Sequence, residues 1–91
     1  MGFQSNTAIH PGRTINRFLD SLDMTQKNLS ERTGVTEKHI SCIVNGEASI
    51  TSDMAVKLSN AIGGDPSFWN NLQTNYDQTL ARLKNDELAA T

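Results

Sequence analysis

The sequence predicts an all-α domain built from five helices. Apolar residues recur at spacings of three and four along most of the chain, and almost no segment shows the pattern of a strand. Threonines or prolines stand where helices can begin, and glycines follow the points where helices can end. The 91 residues suffice for one domain, and so small a core leaves little material to enclose a deep catalytic pocket.

The first helix is predicted to follow a short N-terminal segment. Residues 1–9 are polar and unpatterned, so we expect a flexible arm, with a single domain over residues 10–91. Pro11 suits the first turn of a helix. One apolar face then follows at helical spacing, made of Ile15, Phe18, Leu19 and Leu22, and Asp23 breaks the pattern.

The second and third helices are predicted from their end signals. Thr25 can cap the second helix, which Leu29 anchors in the core and which Gly34 ends in a left-handed conformation. Thr36 can cap the third helix, which ends at Asn45-Gly46. Its inward side chains are Ile40, Ile43 and Val44.

The fourth and fifth helices complete the domain. Thr51 can cap the fourth helix and Gly63-Gly64 can end it, while Asp65-Pro66 begins a long fifth helix over residues 66–88. The early residues Phe68, Trp69 and Leu72 can close the core over the first and fourth helices. The apolar stripe then continues farther than a small core needs, which predicts a homodimer interface. This predicted interface consists of Phe68, Trp69, Leu72, Tyr76, Leu80 and Leu83.

Residues 25–46 have the pattern of a helix-turn-helix, because two short capped helices meet at a turn that contains Gly34. The second helix of such a pair fits the major groove of DNA, and its N-terminal residues reach the base edges. The side chains that we expect to face the DNA are Thr36, Glu37, Lys38, Ser41 and Cys42. Asn45 could either contact a phosphate or close the helix in a left-handed conformation.

The sequence resembles the Cro/repressor-type (XRE) helix-turn-helix family and, within it, the HigA-type antitoxins. The matching segments are Ile9-His10-Pro11-Gly12, Thr25-Gln26, Gly34-Val35, Ile40-Ser41, Asn45-Gly46, Ile50-Thr51 and Pro66-Ser67-Phe68-Trp69-Asn70-Asn71-Leu72-Gln73. The resemblance implies a lambda-repressor-like fold and a repressor of its own operon that binds a palindromic operator. It also implies a HigB-type ribonuclease toxin as partner and places Gln26 at a phosphate-contacting or supporting position.

Two positions depart from the family pattern. Members of the family often carry a basic residue in the loop after Asn45-Gly46, whereas this chain reads Glu47-Ala48-Ser49. A basic side chain that contacts phosphate is therefore absent here or supplied from elsewhere. Thr33 stands where leucine is common, which we expect to weaken the packing of the helix pair.

The charge balance shapes the DNA-binding hypothesis. The chain carries 8 basic and 10 acidic residues, so bulk positive charge does not drive its binding to a partner. Lys27, Arg13 and Arg17 are candidate phosphate contacts. A monomer that neutralises so few phosphates should bind DNA weakly, whereas two copies on half-sites about 34 Å apart double the contacts.

Other classes of function find little support. No apolar run is long enough to cross a bilayer, and one cysteine, Cys42, fits a reducing cytoplasm. His39 and Cys42 lack the second ligand pair of a zinc site, and His10 has no recognisable nucleophile to activate. We therefore expect no catalytic residues, no metal and no cofactor.

Two alternatives to the antitoxin hypothesis remain open. Residues 75–83 look like the end of a DNA-binding module that precedes a metallopeptidase-like domain in longer regulators. The near-neutral charge also keeps open a protein-interaction module that does not bind DNA.

Overall fold

The computed structural model describes residues 8–89, and the side-chain environments of residues 8–86. This part of the chain forms five α-helices and no strand, as the sequence predicts. The helices are α1 (Gly12–Ser21), α2 (Gln26–Thr33), α3 (Glu37–Val44), α4 (Ser52–Ile62) and α5 (Pro66–Ala89). Of the predicted N-terminal arm, residues 1–7 lie outside the described part, and Ala8 and Ile9 precede α1 without regular structure.

Threonine caps fix the starts of three helices. The side chains of Thr25, Thr36 and Thr51 each accept a hydrogen bond, 3.1 Å long, from the backbone N–H three residues later. These bonds satisfy N–H groups that have no partner within the helix. Asn28 completes the first cap, because its side chain accepts from the Thr25 N–H. Gly34 ends α2 at a φ of 74°, so these predicted boundaries are confirmed.

The core is formed by side chains from all five helices and from the loop before α4. Leu29, Ile43, Leu58 and Trp69 have no exposed surface, and Trp69 donates from Nε1 to the carbonyl of Gly63 at 2.9 Å. This hydrogen bond satisfies the one polar atom of the indole. The start of α5 is thereby fixed against the end of α4.

Burial in the core changes the predicted dimer interface. Trp69 is 0% exposed, so its inclusion in a surface for a second chain is wrong. Leu72 and Tyr76 are half-buried within the chain, whereas Phe68 (38%) and Leu80 (44%) are exposed. Within the described residues, the exposed large apolar side chains of α5 are therefore Phe68, near its start, and Leu80, beyond its middle.

The end of α1 also differs from the prediction. The helix ends at Ser21, and Leu22, which the spacing placed on the apolar face, is exposed. Asp23 has a φ of 54°, which turns the chain out of the helix toward α2. The last predicted residue of the apolar face is thereby carried out of the core.

A glycine allows α1 to approach α3. A Cβ atom at Gly12 would lie 2.5 Å from the carbonyl oxygens of Ile43 and Val44, well inside van der Waals contact. Only glycine therefore fits at this position without displacing backbone. The start of α1 packs directly on the end of α3.

Candidate nucleic-acid interface

Helices α2 and α3 form the predicted helix-turn-helix. The hydroxyl of Ser30 donates to the carbonyl of Val35 at 2.6 Å across the turn. The hydroxyl of Thr33 donates to the carbonyl of Leu29 at 2.8 Å and accepts from the Val35 N–H at 3.2 Å. Thr33 thus supports the turn through hydrogen bonds where leucine would supply apolar packing.

One face of α3 is buried and the opposite face is exposed. Ile40 (1%) and Ile43 (0%) lie in the core, while Glu37 and Lys38 are exposed. The helix contributes eight residues, or about two turns, so its exposed face is about 12 Å long. A face of this length can reach the edges of a few adjacent base pairs in a major groove.

The other α3 side chains that we predicted to contact DNA are partly buried or already hydrogen-bonded within the chain. Thr36 is exposed, and its hydroxyl accepts the capping hydrogen bond, which leaves its proton and one lone pair available to a partner. Ser41 is half-buried, and its hydroxyl lies 3.3 Å from the side-chain nitrogen of Asn45. Cys42 is half-buried, and its carbonyl accepts N–H groups from the following loop.

The start of α2 and the end of α3 flank this face. Gln26 is half-buried and Lys27 is exposed in the first turn of α2. Asn45 has φ −84° and ψ 0°, and the left-handed conformation belongs to Gly46 at φ 83°. A left-handed Asn45 is therefore wrong, and its exposed side chain is oriented by Ser41 instead.

His39 is an exposed residue that the sequence analysis considered only as a metal ligand. It follows Lys38 on α3 and presents a second nitrogen-bearing side chain beside it. Helical spacing carried no clear signal for this exposure, because neighbouring positions on a helix can both be buried, as Ile43 and Val44 are. In the part of the chain that the structure describes, no group of three or more His, Cys, Asp and Glu residues could hold a metal ion.

A histidine lies behind the helix-turn-helix, where the three helices α1, α3 and α5 approach one another. The Nδ1 atom of His10 accepts a hydrogen bond from the Gly12 N–H at 3.0 Å, and the ring also bonds the backbone of Ala48. Because Nδ1 is an acceptor, the donor to the Ala48 carbonyl is Nε2. Tyr76 packs against the same ring, with 4.8 Å between ring centroids. Burial lowers the pKa of His10, although Ala48 and the charge of Asp77 act in the opposite direction.

We expect this lowered pKa to make folding stability depend on pH. Below its ordinary pKa of 6.5, His10 takes up a proton more readily in the unfolded chain than in the folded one. The stabilisation should therefore be complete above about pH 6.5 and decline as the pH falls through the lower, folded-state pKa. Thermal melts between about pH 8 and pH 5 would measure this decline.

Two histidine variants separate the contribution of His10. His10→Gln should lose part of the decline below about pH 6.5, whereas the exposed control His39→Gln should retain it. An identical pH profile in His10→Gln and the parent protein would contradict this assignment.

No helix within residues 8–89 is long and apolar enough to cross a membrane. Among known families, a model described as a helix-turn-helix (HTH_3) matches residues 15–69, which include α2, α3 and α4. The match thus centres on the elements that build the exposed face of α3.

Individual proteins are similar over most of this chain. Virulence-associated protein A' of Dichelobacter nodosus is 41% identical over 75% of the chain, and the chain spans only 60% of the length of that protein. Antitoxin HigA-1 of Vibrio cholerae is 38% identical over 79% of the chain and 68% of its own length. The antitoxin HigA of Pseudomonas aeruginosa, solved with the higBA promoter, superposes with a TM-score of 0.83 at 28% identity over 91% of both chains.

Proposed function

The chain belongs to the HigA-type antitoxins of the helix-turn-helix family, and on this basis we propose that it is a sequence-specific DNA-binding regulator that represses its own operon. The observation that carries the proposal is the exposed face of α3, which is supported from behind by Ile40 and Ile43. The similar Pseudomonas antitoxin was solved with promoter DNA. The protein acts by binding rather than by catalysis.

Helix α3 is the reader of the operator. Lys38, at the exposed start of α3, is suited to donate to the O6 and N7 atoms of guanine. Thr36 and Ser41 add hydroxyl groups that can pair with several bases. Glu37 can accept from the amino group of cytosine, and Cys42 lies at the edge of this face.

Phosphate contacts orient the reader without reading sequence. Gln26 and Lys27 lie in the first turn of α2, where backbone N–H groups and the helix dipole favour an anion. Asn45 lies at the other end of the helix pair and is exposed. These three side chains therefore bracket α3 along the DNA backbone.

Two copies bind one palindromic operator. The domain carries few cations, so a dimer on half-sites about 34 Å apart is needed for tight binding. Leu80 and Leu83 lie far along α5, beyond the core of their own chain, and form the centre of the dimer surface. Phe68, Leu72 and Tyr76 extend this surface along the same helix.

The antitoxin role adds a protein partner and a compartment. By its family, the chain neutralises a HigB-type toxin, a ribonuclease that cleaves mRNA. Both activities belong in the cytoplasm, where the operator and the mRNA are. The similarity to antitoxin HigA-1 of Vibrio cholerae supports this role.

Base reading by α3 predicts a specific effect of substitution. Lys38→Ala and Thr36→Ala should each weaken binding to operator DNA by about 1–3 kcal/mol and relax the preference for one base pair. Gln26→Ala should weaken binding to all DNA sequences more evenly, because it removes a phosphate contact. Fluorescence anisotropy with the protein's own promoter, and with a scrambled duplex, measures both effects.

The cap function of Thr36 needs its own control. Thr36→Ala also removes a helix cap, which costs stability of about 0.5–2 kcal/mol. Thr51→Ala removes the equivalent cap of α4 and should leave operator binding nearly intact. If Lys38→Ala and Thr36→Ala bind the operator like the parent protein, α3 is not the reader. A parent protein that fails to shift its own promoter would favour the interaction module instead.

A further inference from the structure

Two residues that lie outside the loop between α3 and α4 hold this loop by hydrogen bonds. This loop, residues 45–51, exposes Asn45, Glu47 and Ser49 to solvent. His10 donates to the carbonyl of Ala48, and the side chain of Gln73 accepts from the Ile50 N–H at 2.7 Å. His10 and Gln73, which form these hydrogen bonds, are 63 positions apart in the sequence.

Gln73 is a buried polar residue committed to this contact. Its side chain is 6% exposed, in a position of α5 that faces the core. The Oε1 atom accepts from Ile50, while Nε2 donates to the carboxylate of Asp77 at 3.0 Å. An ionised carboxylate accepts hydrogen bonds but cannot donate them. Asp77 therefore pairs with Nε2 of the Gln73 amide, which fixes the orientation of the amide and leaves Oε1 to face the loop.

Glycines flank the His10 ring on both sides. Gly46, in the loop, has a φ of 83°, and a Cβ there would lie 3.6 Å from the ring, at ordinary van der Waals distance. On the other side, Gly12 donates its N–H to Nδ1 and lets α1 approach the end of α3. The His10-Pro11-Gly12 and Asn45-Gly46 motifs therefore meet in one contact.

We propose that His10 and Gln73 are positioning residues for operator binding, which hold the loop between α3 and α4 in the orientation that meets the DNA backbone. This inference rests on the proposed operator binding. The loop bonds back to α3, because the carbonyl of Cys42 accepts from the N–H groups of Glu47 and Ala48 at 2.8 and 3.2 Å. Holding the loop therefore also holds the C-terminal end of the reader helix.

The composition of the loop explains why it needs such support. It contains no lysine or arginine, so any phosphate contact there comes from neutral side chains or backbone N–H groups. A flexible cationic side chain can reach a phosphate from many directions, whereas a backbone N–H is directional. The position of the loop backbone must then be set by other residues, and His10 and Gln73 set it.

Two substitutions of His10 separate its two hydrogen bonds. Asparagine can keep the acceptor for the Gly12 N–H but is too short to reach Ala48, whereas glutamine places an amide donor near the position of Nε2. We expect His10→Asn to bind promoter DNA about tenfold more weakly and His10→Gln to bind nearly as the parent does. Binding is measured well below the melting temperature of each variant.

A substitution of Gln73 independently tests the hydrogen bond that its side chain accepts from the Ile50 N–H. Gln73→Met keeps the length of the side chain but leaves the Ile50 N–H without its acceptor, and Gln78→Met is the exposed control on the same helix. Gln73→Met should weaken binding about tenfold. The dependence of log K on log salt should stay that of the parent, because the loop contacts that weaken are made by neutral groups and release no counterions.

The outcomes distinguish this inference from the proposed function. Folded His10→Asn and Gln73→Met proteins that bind with the affinity of the parent would overturn the positioning role and leave operator binding intact. Equal weakening by His10→Asn and His10→Gln would also overturn it, because the Ala48 bond would then be irrelevant. A parent protein that does not bind its promoter at all would overturn the proposed function itself.

Discussion

Replacing Leu80 and Leu83 together with serine should give a folded domain whose dimer dissociates about 30 to 5,000 times more readily. Leu80 is 44% exposed and Leu83 is half-buried, so neither is essential to the core of one chain. A symmetric dimer contains four such leucines. Leu80 leaves nearly half of its surface to be covered by the partner and Leu83 about a third at most, which over the four side chains is worth about 2–5 kcal/mol.

Sedimentation and operator binding would measure this effect together. The variant should sediment as a monomer at concentrations where the parent is a dimer, and its operator binding should fall more than its binding to a single half-site. Val56→Ser is the matched control, because Val56 is 46% exposed on α4, away from the predicted interface. A parent protein that is monomeric at tens of micromolar would contradict the dimer and favour a toxin or a further domain on this surface.

Replacing Ile40 with alanine should lower the free energy of unfolding by about 2–5 kcal/mol. Ile40 is 1% exposed and anchors the middle of α3 in the core, so the substitution leaves a cavity beneath the reader helix. A domain of this size has a total stability of about 5–15 kcal/mol, so the loss is a large part of it. Urea denaturation followed by circular dichroism gives the value directly.

The same variant also tests the orientation of α3. Val56→Ala removes a similar side chain from an exposed position and should change stability by less than about 0.5 kcal/mol. An unchanged midpoint in Ile40→Ala would mean that the inward face of α3 is assigned to the wrong residues. The exposed face that contains Lys38 would then be assigned wrongly as well.

Local signals explain why the helices and the orientation of α3 could be predicted. A threonine cap and a left-handed glycine act within four residues, so Thr25, Thr36 and Gly34 specify boundaries without reference to the rest of the chain. The periodicity of Ile40 and Ile43 likewise fixes which face of α3 is exposed.

Contacts between distant segments explain what could not be predicted. The spacing of Trp69 suits both the core and the dimer stripe, and only the approach of Gly63 shows that its indole is enclosed and belongs to the core alone. His10 and Gln73 are 63 positions apart in the sequence, and each contacts the loop between α3 and α4. Helical periodicity describes one helix at a time and carries no information about such a meeting.

The length of α5 has a thermodynamic consequence. It is one uninterrupted helix of 24 residues, in which Gln73 bonds to the loop between α3 and α4. Leu80 lies about 10 Å farther along the helix axis. The predicted association at Leu80 and the proposed DNA contact near the loop therefore involve the same helix. Any partner that raises the affinity for the operator by some factor must itself be bound more tightly, by that same factor, when the operator is present. Affinity for the partner, measured with and without promoter DNA, thus reports the coupling free energy that α5 transmits.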